Sequence, residues 1–330
     1  MDHMTTRRAL MAMTPLLGLA TFPARAEAAE WGIATEYPAT AMPGEGIAFF
    51  AETANLEAQG ILHVRPAFDA PDGLRSARMP GAVAQGKPEA ADAFTGALAG
   101  LAPILQLSAL PFLTGSADDT RRLLEAARPA YVKVLSERGL TLLYATPWPA
   151  TGLWSRRPVT GPESLKGLRV RTYDESGTTV MRAAGAEPSQ ISFADALPRL
   201  KSGEMDAVLS SGDGGAGARL WEILPHFTAI DYAWPLSLAF CNTAALQRLP
   251  EAGQAAVARA GKATEARQFK AIETRMAENE ARMRTHGMTI ATSPALRAAL
   301  EAAAAPVQAA WVQRAGPEGE AILRAYRGGR

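Results

Sequence analysis

Arginine, tyrosine and serine side chains that can bind a small organic acid recur in the middle of the chain. Arg169 and Arg171 lie in a short apolar strand pattern with Tyr173 just beyond it, and Ser210 and Ser211 follow another apolar run. A guanidinium presents a planar fork that matches a carboxylate, and hydroxyl groups donate or accept further hydrogen bonds. These residue types predict a site for an organic anion.

Such a site requires a fold that brings separate strands side by side. Residues 165–215 read as strand, helix, strand, helix, strand, with 191–193 as the middle strand. That order predicts a parallel sheet with right-handed crossovers, in which ligands bind beyond the carboxyl ends of the strands. We therefore expect Arg171, Phe193 and Ser210 at one rim of the sheet.

The choice between the two arginines stays open at this point. Arg169 and Arg171 are two residues apart, so a regular strand places both side chains on the same face. For either residue the alternative interpretation is a salt bridge at the protein surface, where most arginines lie.

The chain before this region repeats the alternation of strands and helices. The predicted elements are 31–37, 46–58, 61–64, 79–85 and 90–94. A second, similarly wound unit would direct Tyr37, Phe94 and Thr95 toward the same cleft. Packing in the core is the alternative for the two aromatic rings, since aromatic side chains are often buried.

Two further features bear on domain organisation. Pro147 and Pro149 suggest a crossover between domains, and 250–286 is helical without an internal proline. At about 1.5 Å per residue this helix would be about 50 Å long, which exceeds one small domain. We predict a two-domain α/β fold with the ligand cleft between the domains. The predicted limits are 27–147 plus 237–268 for domain I, and 148–236 plus 269–330, with the C-terminal helices, for domain II.

The composition argues against several classes of function. The 330 residues are 48% hydrophobic and 20% charged, with a formal net charge of +1, which gives no global reason to bind nucleic acid or an anionic membrane. Cys241 is the single cysteine and the four histidines are scattered. No spacing typical of a zinc site occurs, so we expect neither a metal nor a cofactor.

The N-terminus resembles a targeting segment. Arg7 and Arg8 precede an apolar stretch, 9–22, and Ala24-Arg25-Ala26 fits a small-x-small cleavage site. The apolar run is short for a membrane span. We predict a signal peptide over 1–26 and export to the periplasm. A weak likeness to a twin-arginine signal leaves the export route open.

The region 165–208 resembles the DctP-type solute-binding proteins of TRAP transporters. The stretch LKGLRVR is similar to their LKGLKIRV-like strand, and GAEPSQISFADALPRLKSGEMDAV contains a G-A-x-P turn and an L-x-x-G-x-M-D segment. LPFL at 110–113 resembles another segment of the family. The resemblance implies two α/β domains with a long helix across both. It also implies a periplasmic subunit that binds a small organic acid and delivers it to the membrane subunits of a transporter. We expect a monomer and no enzymatic activity.

The resemblance assigns a ligand-binding arginine, which falls on Arg171 when the residues of LKGLRVR are counted. Where many members have a ligand-binding asparagine this chain has Ser210, with Ser211 beside it, and Thr151 stands where some members have a second arginine. A site with one cation and several hydroxyls argues against a dicarboxylate or sialic-acid pocket. Residues 212–215, which include Asp213, are interpreted as a tight turn that shapes the cleft.

Aromatic residues accompany this predicted cleft. They are Tyr37, Phe94, Trp148, Trp154, Tyr173, Phe193, Tyr232 and Trp234. Ligand pockets are usually apolar with a few polar groups. We therefore predict a monocarboxylate, such as a 2-oxo acid, with an apolar or aromatic body. The predicted contacts are Arg171, Tyr173, Phe193, Ser210, Ser211, Asp213, Trp234, Trp154, Tyr37, Phe94 and Thr95.

Two other functions were weighed. Ser210, Ser211 and Asp213 with His226 could suggest a serine hydrolase, but Val208 and Leu209 stand where the G-x-S-x-G elbow needs glycine. A periplasmic sensor domain that docks on a receptor is the other alternative, and the sequence does not separate it from transport.

Overall fold

The computed structural model describes Met1 and residues 27–328. Apart from Met1, the predicted signal peptide, 1–26, lies outside the described residues. No helix in the described part of the chain is both long and apolar enough to cross a membrane. The fold below is therefore that of residues 27–328.

Strands and helices alternate along most of the chain. The strands are β1 (Ala29–Thr35), β2 (Leu62–Ala67), β3 (Ala90–Phe94), β4 (Leu140–Pro147), β5 (Thr151–Ser155), β6 (Arg169–Thr172), β7 (Glu187–Gln190), β8 (Ala207–Ser211), β9 (His226–Ala229), β10 (Leu236–Asn242) and β11 (Thr289–Thr292). The helices are α1 (Met42–Glu57), α2 (Met79–Ala84), α3 (Ala117–Ser136), α4 (Glu175–Ala183), α5 (Phe193–Ser202), α6 (Gly212–Gly217), α7 (Thr243–Arg248), α8 (Glu251–Thr285) and α9 (Pro294–Gly328). The predicted α/β class is confirmed.

The first sheet has five strands in the order β2-β1-β3-β10-β4. β1 runs parallel to β2 and β3, whereas β10 is antiparallel to β3 and β4. Phe50 of α1 packs with Tyr144 and part of α8 in one buried cluster, and Leu123 of α3 packs with Phe240 in another. Helices thus bury both faces of this sheet, as is usual for parallel strands.

The second sheet has six strands in the order β11-β9-β5-β8-β6-β7. β6 runs parallel to β7 and β8, which confirms the parallel sheet predicted from the alternation of strands and helices. β5 is antiparallel to β8 and β9. The carboxyl ends of β6 and β8 therefore lie at the same edge.

The chain passes between the sheets after β4 and again after β9. The strands of each sheet fall in the segments predicted for one domain, except that β10 begins one residue before the predicted limit. The domain limits themselves stay a prediction. α8 is one helix of 35 residues, as predicted, and it contacts β4 and α1 of the first half as well as α6 and β11 of the second.

A glycine allows α8 to approach the first sheet closely. A Cβ atom on Gly261 would lie 2.6 Å from the carbonyl oxygen of Leu143 in β4, far inside the van der Waals distance. Only glycine can occupy this position without moving the helix or the strand.

Two local predictions were wrong. Residues 191–193 are not a strand: β7 ends at Gln190, and the Ser192 side chain accepts a hydrogen bond from the Asp195 N–H, so α5 begins at Phe193. Residues 212–215 are the start of the short helix α6 instead of a tight turn. Ser211 caps that helix by accepting from the N–H of Gly214. In both places a serine N-cap prevailed over the apolar or glycine-rich pattern.

Candidate functional site

A cavity lies between the two sheets, at the carboxyl ends of β6 and β8. Its lining residues are Tyr37, Phe94, Trp148, Thr151, Arg171, Tyr173, Phe193, Ser210, Ser211 and Pro235. Both halves of the molecule contribute to it.

Arg171 supplies the positive charge of this cavity. Its side chain is only 4% exposed, its Nε donates to the carbonyl oxygen of Ile191 at 2.9 Å, and its Nη1 lies 3.4 Å from the carbonyl oxygen of Leu209. The guanidinium lies 5.6 Å from the ring centroid of Phe193 and 5.9 Å from that of Tyr173. These contacts fix its position with neutral groups alone.

This guanidinium has no ion-pair partner in the described part of the chain, although the nearby Glu36 and Asp174 carboxylates favour its charge. Among the residues that the structure describes, none of the Asp or Glu side chains forms an ion pair with Arg171. Burial lowers the pKa of Arg171 from its usual value. A buried charge without a partner is costly, so the arrangement favours an anion that arrives from outside the chain.

Arg169 has the opposite environment. It is exposed, and its Nε and Nη2 donate to the two carboxylate oxygens of Asp206 at 2.8 and 2.7 Å. The pKa of Arg169 is raised, and the largest cause is its hydrogen bonding to Asp206. The structure thus distinguishes the buried Arg171 from the exposed, paired Arg169, which the spacing along the strand could not do.

Aromatic rings from both halves form the walls. Tyr37 contacts Trp148 edge-on with ring centroids 4.7 Å apart, and Phe94 contacts Tyr173 edge-on at 5.0 Å. Phe193 lies 6.1 Å from Tyr37. Burial, followed by the nearby Glu36 carboxylate, raises the pKa of Tyr37 well above its usual value, so its hydroxyl stays protonated. The walls are therefore apolar with a phenol donor.

Hydroxyl groups line another part of the cavity. Thr151 begins β5 and pairs with Ser211 at the end of β8, with Ser210 beside it. The Ser211 hydroxyl already accepts from the N–H of Gly214, whereas no hydrogen bond within the described chain involves the Ser210 hydroxyl, and Ser210 is 8% exposed. Ser210 can therefore bond to a polar atom of a ligand.

Seven of the predicted contacts meet at the cavity. They are Tyr37, Phe94, Arg171, Tyr173, Phe193, Ser210 and Ser211. Phe193 reaches it from the first residue of α5 and not from a strand end. Whether these residues contact a ligand stays a prediction.

Four predicted contacts lie outside the lining. The Trp154 indole donates to the carbonyl oxygen of Ser211, and Thr95 donates to the carbonyl oxygen of Leu236. Trp234 packs with Met42 and Ile272. Asp213 accepts from the Met42 N–H at 2.7 Å and from Arg275 Nε at 2.5 Å. Their part in ligand binding is untested, and these contacts give each of them a structural role.

Three lining residues were not among the predicted contacts. Trp148 was expected near the cleft on its aromatic character, and its Nε1 donates to the Ser237 hydroxyl at 3.0 Å. Thr151 and Pro235 sit where the chain crosses between the sheets. No residue-type pattern marks these two positions, because it is the crossover that brings them to the cavity.

Two buried acids flank Arg171 without pairing with it. Glu36 is 5% exposed, and its two oxygens accept from the backbone N–H groups of Ser76 at 2.6 Å and Phe193 at 3.3 Å. Asp174 caps α4 by accepting from the Gly177 N–H at 2.7 Å, and burial raises its pKa to about 6. Sequence analysis missed both, since each reads as an ordinary loop or capping residue.

The structure also bears on the alternative serine hydrolase interpretation. In the register of β5, Ser211 pairs with Thr151 at one end and His226 pairs with Ser155 at the other. Four residues of strand separate them, about 13 Å at about 3.3 Å per residue. His226 therefore cannot act as a base for either serine, because a base needs hydrogen-bond contact with its nucleophile.

Comparisons with known proteins bear on the family and the fold. A family model described as bacterial extracellular solute-binding protein, family 7 (DctP), matches residues 33–314. The chain is similar to DctP7, an extracytoplasmic solute receptor of Bordetella pertussis that binds pyroglutamic acid: identity is 26% and the TM-score 0.87, over 91% of this chain and 100% of that one. The chain is also similar to a marine metagenome TRAP solute-binding protein in complex with co-purified pyroglutamate. The identity is 26% and the TM-score 0.86, over 92% of this chain and 99% of that one.

Curated relatives match over shorter stretches. The 2,3-diketo-L-gulonate-binding periplasmic protein of Escherichia coli is 28% identical over 165 residues, which are 48% of this chain and 50% of that protein. The chain spans half or less of the length of the curated relatives that it matches.

Proposed function

This chain belongs to bacterial extracellular solute-binding protein family 7, and on that basis we propose that it binds a compact organic monocarboxylate at Arg171. The family consists of solute-binding receptors of TRAP transporters and not of enzymes. Small organic acids are the ligands of similar structures. The proposal adds the class of acid and the residue that binds its carboxylate.

The observation that carries the proposal is the unpaired buried guanidinium. Arg171 is anchored by backbone carbonyls and faces a cavity between the two sheets, with no carboxylate of the described chain paired to it. A ligand carboxylate would supply the missing charge and hydrogen bonds. Charge-assisted bonds of this kind are about twice as strong as neutral ones.

The body of the ligand would be small and mainly apolar. Five aromatic side chains and Pro235 surround the cavity, and the Ser210 hydroxyl can bond to a second polar atom. A 2-oxo acid or an acid with a five- or six-membered ring fits this description. Pyroglutamate, the ligand of two similar structures, has one carboxylate and a compact ring and is the first probe to try.

Delivery follows from the architecture and from the family. The cavity lies between two sheets that are joined by crossovers and by α8, which is the arrangement of proteins that close around a ligand by hinge motion. We propose that the closed form docks on the membrane subunits of a TRAP transporter. Export to the periplasm with cleavage after residue 26 is part of the same proposal.

The test is a thermal-shift screen of the mature protein with a library of carboxylates, including pyroglutamate. A ligand at about 100 times its dissociation constant should stabilise the protein by about 2.7 kcal/mol. R171A should lose the shift, and R169A is the matched control, because it removes the same residue type two positions away on the same strand. The absence of a shift with every carboxylate, or a shift that R171A retains, would refute the proposal.

A further inference from the structure

The charges around the cavity suggest how the protein distinguishes acids with one carboxylate from acids with two. This inference rests on the proposed function, since it concerns the selectivity of the same site. It begins from Glu36 and Asp174, two acids to which no role was assigned by the sequence.

Glu36 reaches from one half of the molecule to the other beside the cavity. It follows β1 of the first sheet, yet one of its oxygens accepts from the N–H of Phe193, the first residue of α5 in the second half. A carboxylate at the N-terminus of a helix is stabilised by the unpaired N–H groups and the helix dipole. Glu36 is therefore held in place by backbone N–H groups while it is buried beside Arg171.

A second cavity continues from the first toward Glu36. It shares Tyr37, Phe94, Arg171 and Tyr173 with the first cavity and is also lined by Glu36, Arg75 and Ser192 among others. A ligand longer than the first cavity would place its far end here. That end would then face the Glu36 carboxylate.

The other cation in this region is already paired. Arg75 donates to the Asp195 carboxylate at 2.6 and 3.1 Å. Asp174, whose charge also acts on Arg171, is completely buried and accepts from the Gln106 side chain at 3.1 Å. Among the described residues that line the two cavities, Arg171 is thus the cation that has no carboxylate partner.

We propose that Glu36 is a specificity-determining residue that rejects ligands with a second carboxylate, assisted by the charge of Asp174 near Arg171. The first carboxylate of a ligand binds Arg171. A second carboxylate of the ligand would lie beside either hydroxyl groups or the charged Glu36 side chain. Like charges repel strongly where water is largely excluded. Selectivity is then produced by repulsion of the wrong ligand as well as by attraction of the right one.

The experiment uses pairs of probes that differ in one charge. Succinamate and succinate, glutaramate and glutarate, and phthalamate and phthalate are monoamide and dicarboxylate of nearly equal shape. Their dissociation constants are measured by competition against pyroglutamate at pH 7.5, where the probe carboxylates are ionised. We expect the wild-type protein to prefer each monoamide by at least about tenfold.

E36Q should reduce that preference by about tenfold, because it removes the charge and keeps an amide oxygen that can still accept an N–H. D174N, which retains a helix cap, tests the same idea if E36Q does not fold, and should reduce the preference in the same direction. D72N is the matched control: Asp72 is an exposed residue of the same half with φ of 52°, which asparagine tolerates, so the preference should not change.

Three outcomes separate the possibilities. If E36Q weakens monoamide and dicarboxylate equally, Glu36 only holds α5 in place and the inference is wrong. If the wild-type protein binds a dicarboxylate as tightly as its monoamide, the inference is also wrong although the proposed function stands. If the wild-type protein binds no monocarboxylate, the proposed function itself fails.

Discussion

Two arginines between the halves of the molecule, Arg171 buried and Arg275 partly buried, have opposite surroundings. Arg275 of α8 contacts the carboxylates of Asp213 at 2.5 Å and Glu45 at 2.8 Å, and so joins α6 to α1. Arg171 has carbonyl oxygens and aromatic rings but no carboxylate among the described residues. The chain therefore pairs one of these cations with its own carboxylates and leaves the other without an ion pair among the described residues.

The pKa values follow the same division. Burial opposes the charge of both arginines, but the charges of Asp213 and Glu45 outweigh it and raise the pKa of Arg275. At Arg171 burial prevails and the pKa is lowered. A paired buried charge holds a structure together, whereas an unpaired one reduces stability until a ligand arrives. Four predictions test this comparison, beginning with the largest expected effect.

D213N should destabilise the protein most. It leaves Arg275 largely buried beside a neutral amide and weakens the bond to the Met42 N–H. Breaking a buried ion pair costs about 3–5 kcal/mol. Urea unfolding should show this loss without ligand, and E45Q, at the more exposed partner, should lose less. A D213N midpoint equal to wild type would contradict the structural role of this pair.

R171A should have the opposite effect to D213N, because it should reduce ligand affinity and not stability. Removal of an unpaired buried cation should leave the free energy of unfolding of the ligand-free protein unchanged or higher, since no ion pair is lost. Ligand affinity should fall by about 100-fold, or about 2.7 kcal/mol. Calorimetric titration measures the affinity and urea unfolding the stability. Stability loss as large as that of D213N would mean that Arg171 has an internal partner after all.

Asp92 extends the comparison to a buried acid that is not proposed to contact a ligand. This side chain of β3 is fully buried, and burial raises its pKa to about 7, while Ser237 lowers it slightly. Because the folded-state pKa is above the unfolded value, folding favours the protonated form. Its contribution to stability is complete below about pH 4 and is lost as the pH rises to about 7.

The protein should therefore lose about 1–2 kcal/mol of stability from Asp92 between pH 5.5 and 7.5. D92N should remove this part of the pH dependence, and the rest, to which Asp174 contributes, should remain. Unfolding curves at a series of pH values provide the measurement. An unchanged pH profile in D92N would show that Asp92 is charged in the folded protein throughout this range.

R169A should have the smallest effect. Its ion pair with Asp206 is exposed, and surface pairs contribute little. Affinity for the ligand that R171A loses should stay within about twofold of wild type in the same titration. A larger loss would mean that the charge of Arg169 acts on the cavity from outside.

Much of the fold was predictable from the sequence. The alternation of strands and helices indicated the parallel pairing of β6 with its neighbours, and the absence of proline indicated one long α8. The start of α5 at Phe193 was missed, because one hydrogen bond to Ser192 outweighs the apolar character of 191–193. Local capping geometry is difficult to see in a pattern of apolar residues.

The site was predictable where side chains come from strand ends and not where crossovers supply them. Arg171 and Ser210 follow from the order of β6 and β8, and Arg171 was chosen over Arg169 by resemblance. Thr151 and Glu36 depend on how the two halves face each other, which no local pattern encodes. The position of Glu36 beside Arg171 became visible only with the structure.

The most direct test is a crystal structure of the protein with the monocarboxylate that stabilises it most in the thermal-shift screen. The account predicts the ligand carboxylate at about 2.7–3.2 Å from the Nη atoms of Arg171, inside the cavity bounded by Tyr37 and Phe193. A ligand bound elsewhere, or a carboxylate of the chain itself paired with Arg171 in the ligand-free crystal, would contradict it.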